Sequence, residues 1–147
     1  MSLFFEDFKI GAKFVSAGRF ITGEDIAAFS ALTGDVMRIH TDDEYAHQSI
    51  FGGRIAQGAF IFSIATGLFT QMNLINDALL AFYAVEKLRF VKPVLPGDAV
   101  QVEKQVIRLK EADSTRGLVT FDARVFNQKD ENVILYQETV LMMRRAN

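Results

Sequence analysis

A chain of 147 residues, half of them apolar and fourteen of them Phe, has material for one substantial core and little length for a second. Its net charge of -2 gives no electrostatic case for nucleic acid or an anionic membrane surface as partner. The absence of cysteine excludes disulfide staples, thiolate zinc sites and a cysteine nucleophile, and it fits a reducing compartment, with the cytoplasm as the default expectation.

Near the N-terminus, Glu6 and Asp7 stand where a secretory leader would carry basic residues, so export is not expected. Thr22, Gly23, Glu24 and Asp25 have the form of a capping box, a hydroxyl followed one turn later by an acid. Ile26, Phe29 and Leu32 then recur at helical spacing, and Gly34 is placed to end that helix. A second box, Thr41 to Glu44, predicts a short helix running to about Gln48, with His40 just ahead of its start. Residues 58–73 are apolar on nearly every face, which predicts a helix wrapped by protein. The uncharged run within it, residues 58–69, is too short to span a bilayer.

Beyond residue 79 the period changes. Val119, Phe121, Ala123 and Val125 alternate with Thr120, Asp122 and Arg124, as in a half-buried strand. Residues 80–91, 100–109 and 133–143 add three long strands, separated by turn-like residues 111–114 and 127–132. One apolar helix and four or five long antiparallel strands make an α+β fold, expected as a single domain over residues 1–147 with the sheet curled around the helix. Phe82, Tyr83, Phe90, Tyr136 and Leu141 are expected on the outer face and edges, an apolar surface suited to pairing of subunits.

The residues able to do chemistry collect before the apolar helix. Asp35 and His40 fall on the connection between two predicted helices, where a carboxylate and an imidazole can share proton transfer. Singly, Asp35 reads as a turn former after glycine and His40 as a helix-flanking residue; together, beside a glycine-rich segment, they read as a site. Gly52, Gly53 and Gly58 flank the start of the apolar helix, whose free N–H groups can hold an oxyanion; close helix–strand approach is the steric alternative for each. Ser63 and Thr66 interrupt the apolar helix, either to meet a ligand or to bond a carbonyl one turn back. His47 lies in a charged helix without a comparable partner, and no recognisable metal-ligand spacing is present.

In this order the motifs resemble the MaoC-like, or hydratase 2, family of hot-dog domains, which includes (R)-specific enoyl-CoA hydratases. The family pattern T-G-D-x-N-P-x-H is matched at Thr33, Gly34, Asp35 and His40; F-G-G-R-I-A-x-G at Phe51 through Gly58; and F-x-K-P-V-x-P-G-D at Phe90 and Lys92 through Asp98. The resemblance implies a hot-dog fold and reversible hydration of trans-2-enoyl-CoA thioesters, in fatty acid metabolism, with Asp35 and His40 as the catalytic pair. It implies an oxyanion or substrate-binding role for Gly58, with Gly53 beside it, and a helix hydroxyl from Thr66 or Ser63. Coenzyme A enters as part of the substrate, no metal or other cofactor is implied, and the expected assembly is a homodimer or higher homo-oligomer.

The family's Asn-Pro is Met37-Arg38 here, a change that removes a stiff loop residue and brings in a cation. Arg38 is placed either to meet a charged acyl group or simply to face solvent. Phe60, Phe62 or Phe69 is expected to limit acyl length. Two competing readings stand beside the hydratase: an acyl-CoA thioesterase, against which counts the absence of any acid in residues 59–73, and a non-catalytic module that binds acyl thioesters.

Overall fold

The computed structural model describes residues 1–146. A 3-10 turn at Phe5–Asp7 precedes two short strands, β1 (Lys13–Val15) and β2 (Arg19–Phe20). Three helices follow, α1 (Gly23–Thr33), α2 (Arg38–Thr41) and α3 (Asp43–His47), then the long helix α4 (Gly58–Gln71). The chain ends in strands β3 (Leu79–Phe90), β4 (Ala99–Glu111), β5 (Arg116–Asn127) and β6 (Asn132–Met143). One antiparallel sheet in the order β1-β4-β5-β6-β3, with β2 also paired to β4, curves against α4, the α+β hot-dog arrangement. No helix among the described residues is long and apolar enough to cross a membrane.

The first predicted cap forms as read. The Asp25 amide donates to Thr22 Oγ1 at 3.1 Å and the Thr22 amide to Asp25 Oδ2 at 3.0 Å, while Gly34 ends α1 with a φ of 80° that favours glycine. Leu32, which shares the helical spacing of Ile26 and Phe29, is 84% exposed; the buried face of α1 is carried by Ile26 and Ser30.

The second box forms differently. Asp42, not Thr41, caps α3 by accepting from the Tyr45 amide at 3.0 Å. The Thr41 hydroxyl is turned back onto the carbonyls of Val36 and Met37, and residues 38–41 close a turn of their own. His40 therefore sits inside α2, three residues ahead of α3.

On β5 the inward positions are Val119, Phe121, Ala123 and Val125, as the alternation requires. On β6 the inward phase takes Ile134, Tyr136, Glu138, Val140 and Met142, which corrects the placing of Tyr136 on the outer face. Its ring lies against Phe62 of α4 in a T-shaped contact 5.2 Å between centroids. Phe82, Tyr83 and Phe90 are exposed, as expected, on β3, which among the described residues pairs only with β6 and is bent by three register shifts.

The sheet covers one side of α4. Phe60, Ile61, Ala65, Leu68 and Phe69 are buried, whereas Ala59, Ser63 and Thr70 form a small, exposed face that the sequence placed under protein. Beneath the helix a charged pair interrupts the apolar core. Lys104 of β4 and Glu138 of β6 are joined by an ion pair that is almost fully buried, and the Lys104 ammonium lies 4.0 Å from the centre of the Phe69 ring. Burial pushes the Lys104 ammonium below its ordinary pKa, against the opposing pull of Glu138.

Candidate active site

The four residues 55–58 are the hub of the site, and each faces a different support. The Ile55 carbonyl lies 2.7 Å from His40 Nδ1, and the Ile55 amide donates to the Ile39 carbonyl at 3.3 Å, so α2 is held against the approach to α4. A carbonyl can only accept, so Nδ1 carries the proton and Nε2 is left as the nitrogen free to gain or lose one. The Ala56 amide donates to the Val94 carbonyl at 2.7 Å, fixing the same stretch to the corner between β3 and β4. Gln57 is the N-cap of α4, and its side chain reaches α1. Gly58 opens α4 with an N1 amide, a position that has no acceptor within the helix.

Gly58 must be glycine for reasons of space. A β-carbon there would lie 2.7 Å from atoms of the Phe90 ring, far inside contact distance. Helix start and aromatic ring together form one wall of an apolar cleft of about 530 Å³, lined also by Phe51, Ile55, Pro93 and Ile134. Lys92 lies at the same cleft, and its ammonium pairs with Glu131. The helix dipole directs its positive end at this wall.

The expected site residues are thus distributed unevenly. Gly58 lines the cleft, and His40 is attached to it through Ile55. Asp35 is half-buried in the connection after the α1 cap, where its amide donates to Thr33 Oγ1 at 3.2 Å. Among the described residues no hydrogen bond joins Asp35 to His40, and neither lines the cleft of this one chain. Gly53 lies outside that cleft, with Leu95 as its neighbour at 3.9 Å from an added β-carbon. Ser63 and Thr66 take the local alternative: their hydroxyls donate to the carbonyls of Ala59 at 2.8 Å and Ser63 at 2.7 Å.

Arg38 is engaged within its own segment. Its guanidinium pairs with Asp42 at 3.0 Å and stacks 4.4 Å from the Tyr45 ring, so the solvent-facing reading holds. The three rings expected to limit acyl length are occupied elsewhere: Phe60 packs on Phe29, Phe62 on Tyr136 and Phe82, and Phe69 on Phe14 and Phe121. The rings at the cleft are Phe51 and Phe90 instead.

Two supports went unread in the sequence. Arg54 donates to Asp43 at 2.6 Å and to the His40 carbonyl at 3.3 Å, buttressing α2 and α3 from behind. Gln57 is the other. Both lie within the glycine-rich motif, whose charged and amide side chains were the available signal.

The sequence pattern of the MaoC like domain matches residues 7–126. Protein MaoC of Klebsiella aerogenes is 39% identical over 99 residues; the match covers 67% of this chain and 29% of that protein, so the chain spans under a third of that relative. The (R)-specific enoyl-CoA hydratase of Aeromonas caviae is 30% identical over 123 residues, which are 84% of this chain and 87% of the relative. The solved structure of a monoamine oxidase regulatory protein from Archaeoglobus fulgius superimposes with a TM-score of 0.92 at 34% identity, over 99% of this chain and 97% of that one. Motif, fold and the extent of these matches agree, and the chain belongs to the family of MaoC-like dehydratase domains.

Proposed function

We propose that the chain hydrates trans-2-enoyl-CoA thioesters reversibly to 3-hydroxyacyl-CoA, with (R) stereochemistry. The observation that carries this reading is the bond from His40 Nδ1–H to the Ile55 carbonyl. It presents Nε2 of His40 for proton exchange from an anchor, Ile55, that lies three positions before the Gly58 amide. The relationship to an (R)-specific enoyl-CoA hydratase supports the same chemistry.

In this mechanism the thioester oxygen accepts from the Gly58 N–H, which polarises the conjugated double bond and makes the β-carbon electrophilic. A water held between Asp35 and His40 attacks that carbon while the Asp35 carboxylate takes its proton. The electron pair of the double bond moves toward the α-carbon through an enolate held at Gly58. Protonated His40 then delivers the Nε2 proton to the α-carbon, and the proton on Asp35 returns to His40 to restore the pair. No metal or redox group enters this chemistry.

The assembly that fits this reading is a homodimer, or a larger set of such pairs. A second copy seated on β3 and the exposed face of α4 covers the apolar side chains left in solvent and brings more surface to the open cleft. Hydrolysis of the thioester is the weaker reading, since α4 carries no carboxylate.

The test is loss of the conjugated enoyl absorbance of crotonyl-CoA, with chiral analysis of the product. Hydration that disappears in Asp35→Asn and His40→Ala supports the proposal. Release of free coenzyme A thiol identifies a thioesterase, and tight binding of the thioester without turnover identifies a non-catalytic module.

A further inference from the structure

We propose that Gln57 is a positioning residue that fixes the start of α4, and with it the Gly58 amide, against the helix that delivers Asp35. The inference rests on the hydratase reading above.

Gln57 is 2% exposed, so its amide cannot touch substrate from solvent. Its Nε2 donates to the Ile26 carbonyl at 3.1 Å and to Ser30 Oγ at 2.8 Å, both on α1. The Ile26 carbonyl only accepts, which fixes the orientation of the amide: NH2 faces α1, and Oε1 is buried with no protein hydrogen-bond partner among the described residues. A polar atom held in that state is costly to the fold, so the side chain is poorly explained by stability alone.

The second observation is what this side chain leaves undone. Helix N-caps are favoured sites for short side chains that accept from the first-turn amides. Gln57 occupies that position in α4 and makes no such bond. Its side chain turns away to α1, so the amides at the start of α4 stay open toward the cleft.

The far end of the tether leads to the carboxylate. Ser30, which takes the Gln57 bond through its hydroxyl, also accepts the Gly34 amide through its carbonyl at 2.9 Å. That second bond closes the α1 C-cap, and Asp35 is the next residue. A path of two hydrogen bonds and one glycine therefore links the oxyanion amide to the proposed base. The 5.2 Å contact of Phe29 with Phe60 packs the same two helices together but fixes no register at this scale.

The experiment compares wild type, Gln57→Met, Ser30→Ala and the double variant by steady-state hydration of crotonyl-CoA and by thermal unfolding. Met keeps the length of Gln, removes the donor and removes the orphaned oxygen, so its unfolding midpoint stays within about a few degrees of wild type. The expected result is a fall in kcat of about tenfold to a hundredfold in each single variant, with KM changed by less than about twofold. The double variant is expected to be no worse than Gln57→Met alone, because Ser30→Ala removes one of the two bonds that Gln57→Met already removes. A folded Gln57→Met protein with wild-type kcat overturns the proposal, as does a double variant whose losses multiply. Should Gln57→Met fail to fold, Ser30→Ala, which cuts the bond to Ser30 and leaves the one to Ile26, carries the test, and a wild-type kcat in that folded variant overturns the path through Ser30. Failure of wild type to hydrate crotonyl-CoA or any longer enoyl thioester overturns the hydratase reading and removes the tether's catalytic role with it. An active wild type with unaffected variants overturns the tether only.

Discussion

The His40 imidazole and the Ile55 carbonyl are bound 2.7 Å apart across the junction between α2 and the approach to α4, and the direction of the bond leaves one ring nitrogen for chemistry. His40→Ala is accordingly expected to lower kcat for crotonyl-CoA hydration by about a hundredfold to ten-thousandfold. It also leaves the carbonyl without its partner, at a cost of about 1–3 kcal/mol that urea unfolding will read. Asp35→Asn should lose a comparable share of kcat with little change in the urea midpoint, since its carboxylate makes no hydrogen bond among the described residues. Full activity in either folded variant rejects the assignment.

Gly58→Ala tests the contact between helix start and aromatic ring. The new methyl meets the Phe90 ring at 2.7 Å, and the ring must leave its place on the cleft wall. A destabilisation of about 1–3 kcal/mol is expected, typical of overpacking. Phe90→Leu on the same background should recover most of it, giving a coupling energy in a double-mutant cycle of thermal unfolding. Additive losses place the strain somewhere other than at this pair.

The buried pair of Lys104 and Glu138 predicts opposite outcomes for single and double changes. Lys104→Met leaves a carboxylate alone in the core and should cost about 3–5 kcal/mol. Lys104→Met combined with Glu138→Leu removes both charges and should regain most of that stability or exceed the starting value. Denaturant unfolding of the three proteins at neutral pH decides this. A double variant as weak as the single one excludes desolvation as the cause.

Chain ends far apart in sequence are clasped by Arg145 and Asp7, whose guanidinium and carboxylate lie 2.7 Å apart. The Arg145 guanidinium, then the Phe4 amide, hold the Asp7 carboxyl below its ordinary pKa. A lowered carboxyl pKa adds stability that is complete above the unfolded value, near pH 4, and is lost as pH falls through the lower folded value. Arg145→Ala should therefore differ from wild type in thermal midpoint at neutral pH, with the gap closing as the solution is acidified below about pH 4. Because the pair is largely exposed, the gap should be small and should shrink in 1 M salt, where the screening length is about 3 Å. A gap that persists unchanged in strong acid rules out the ion pair as its source.

Much of this architecture was legible because period and caps are local. The alternation on β5 and the Thr22–Asp25 box each involve side chains a few residues apart, and both formed as the pattern requires. Tyr136 was misplaced because its surroundings depend on which phase of β6 meets the core, and the exposure of Leu32 likewise follows from which face of α1 does, choices made by distant elements. The strands β1 and β2 are too short to display a period and take their shape from β4. At the candidate site, the glycine-rich motif points to residues 51–58, but their supports are long-range. Nothing in the sequence near Gln57 announces that its amide will meet Ser30, or that the Ile55 carbonyl will meet a ring fifteen residues earlier.

The frame and the apolar wall are carried by different parts of the chain. Residues 55–58 are committed on several sides at once, to α2, to the β3–β4 corner and to α1, so change there disturbs several anchors together. Phe51 lies outside those anchors, and Val91 sits just past the end of β3. On the hydratase reading proposed above, selection for a new acyl group has its open ground at those outlying side chains, where the fit to a guest can be recut while the anchors of residues 55–58 keep their alignment.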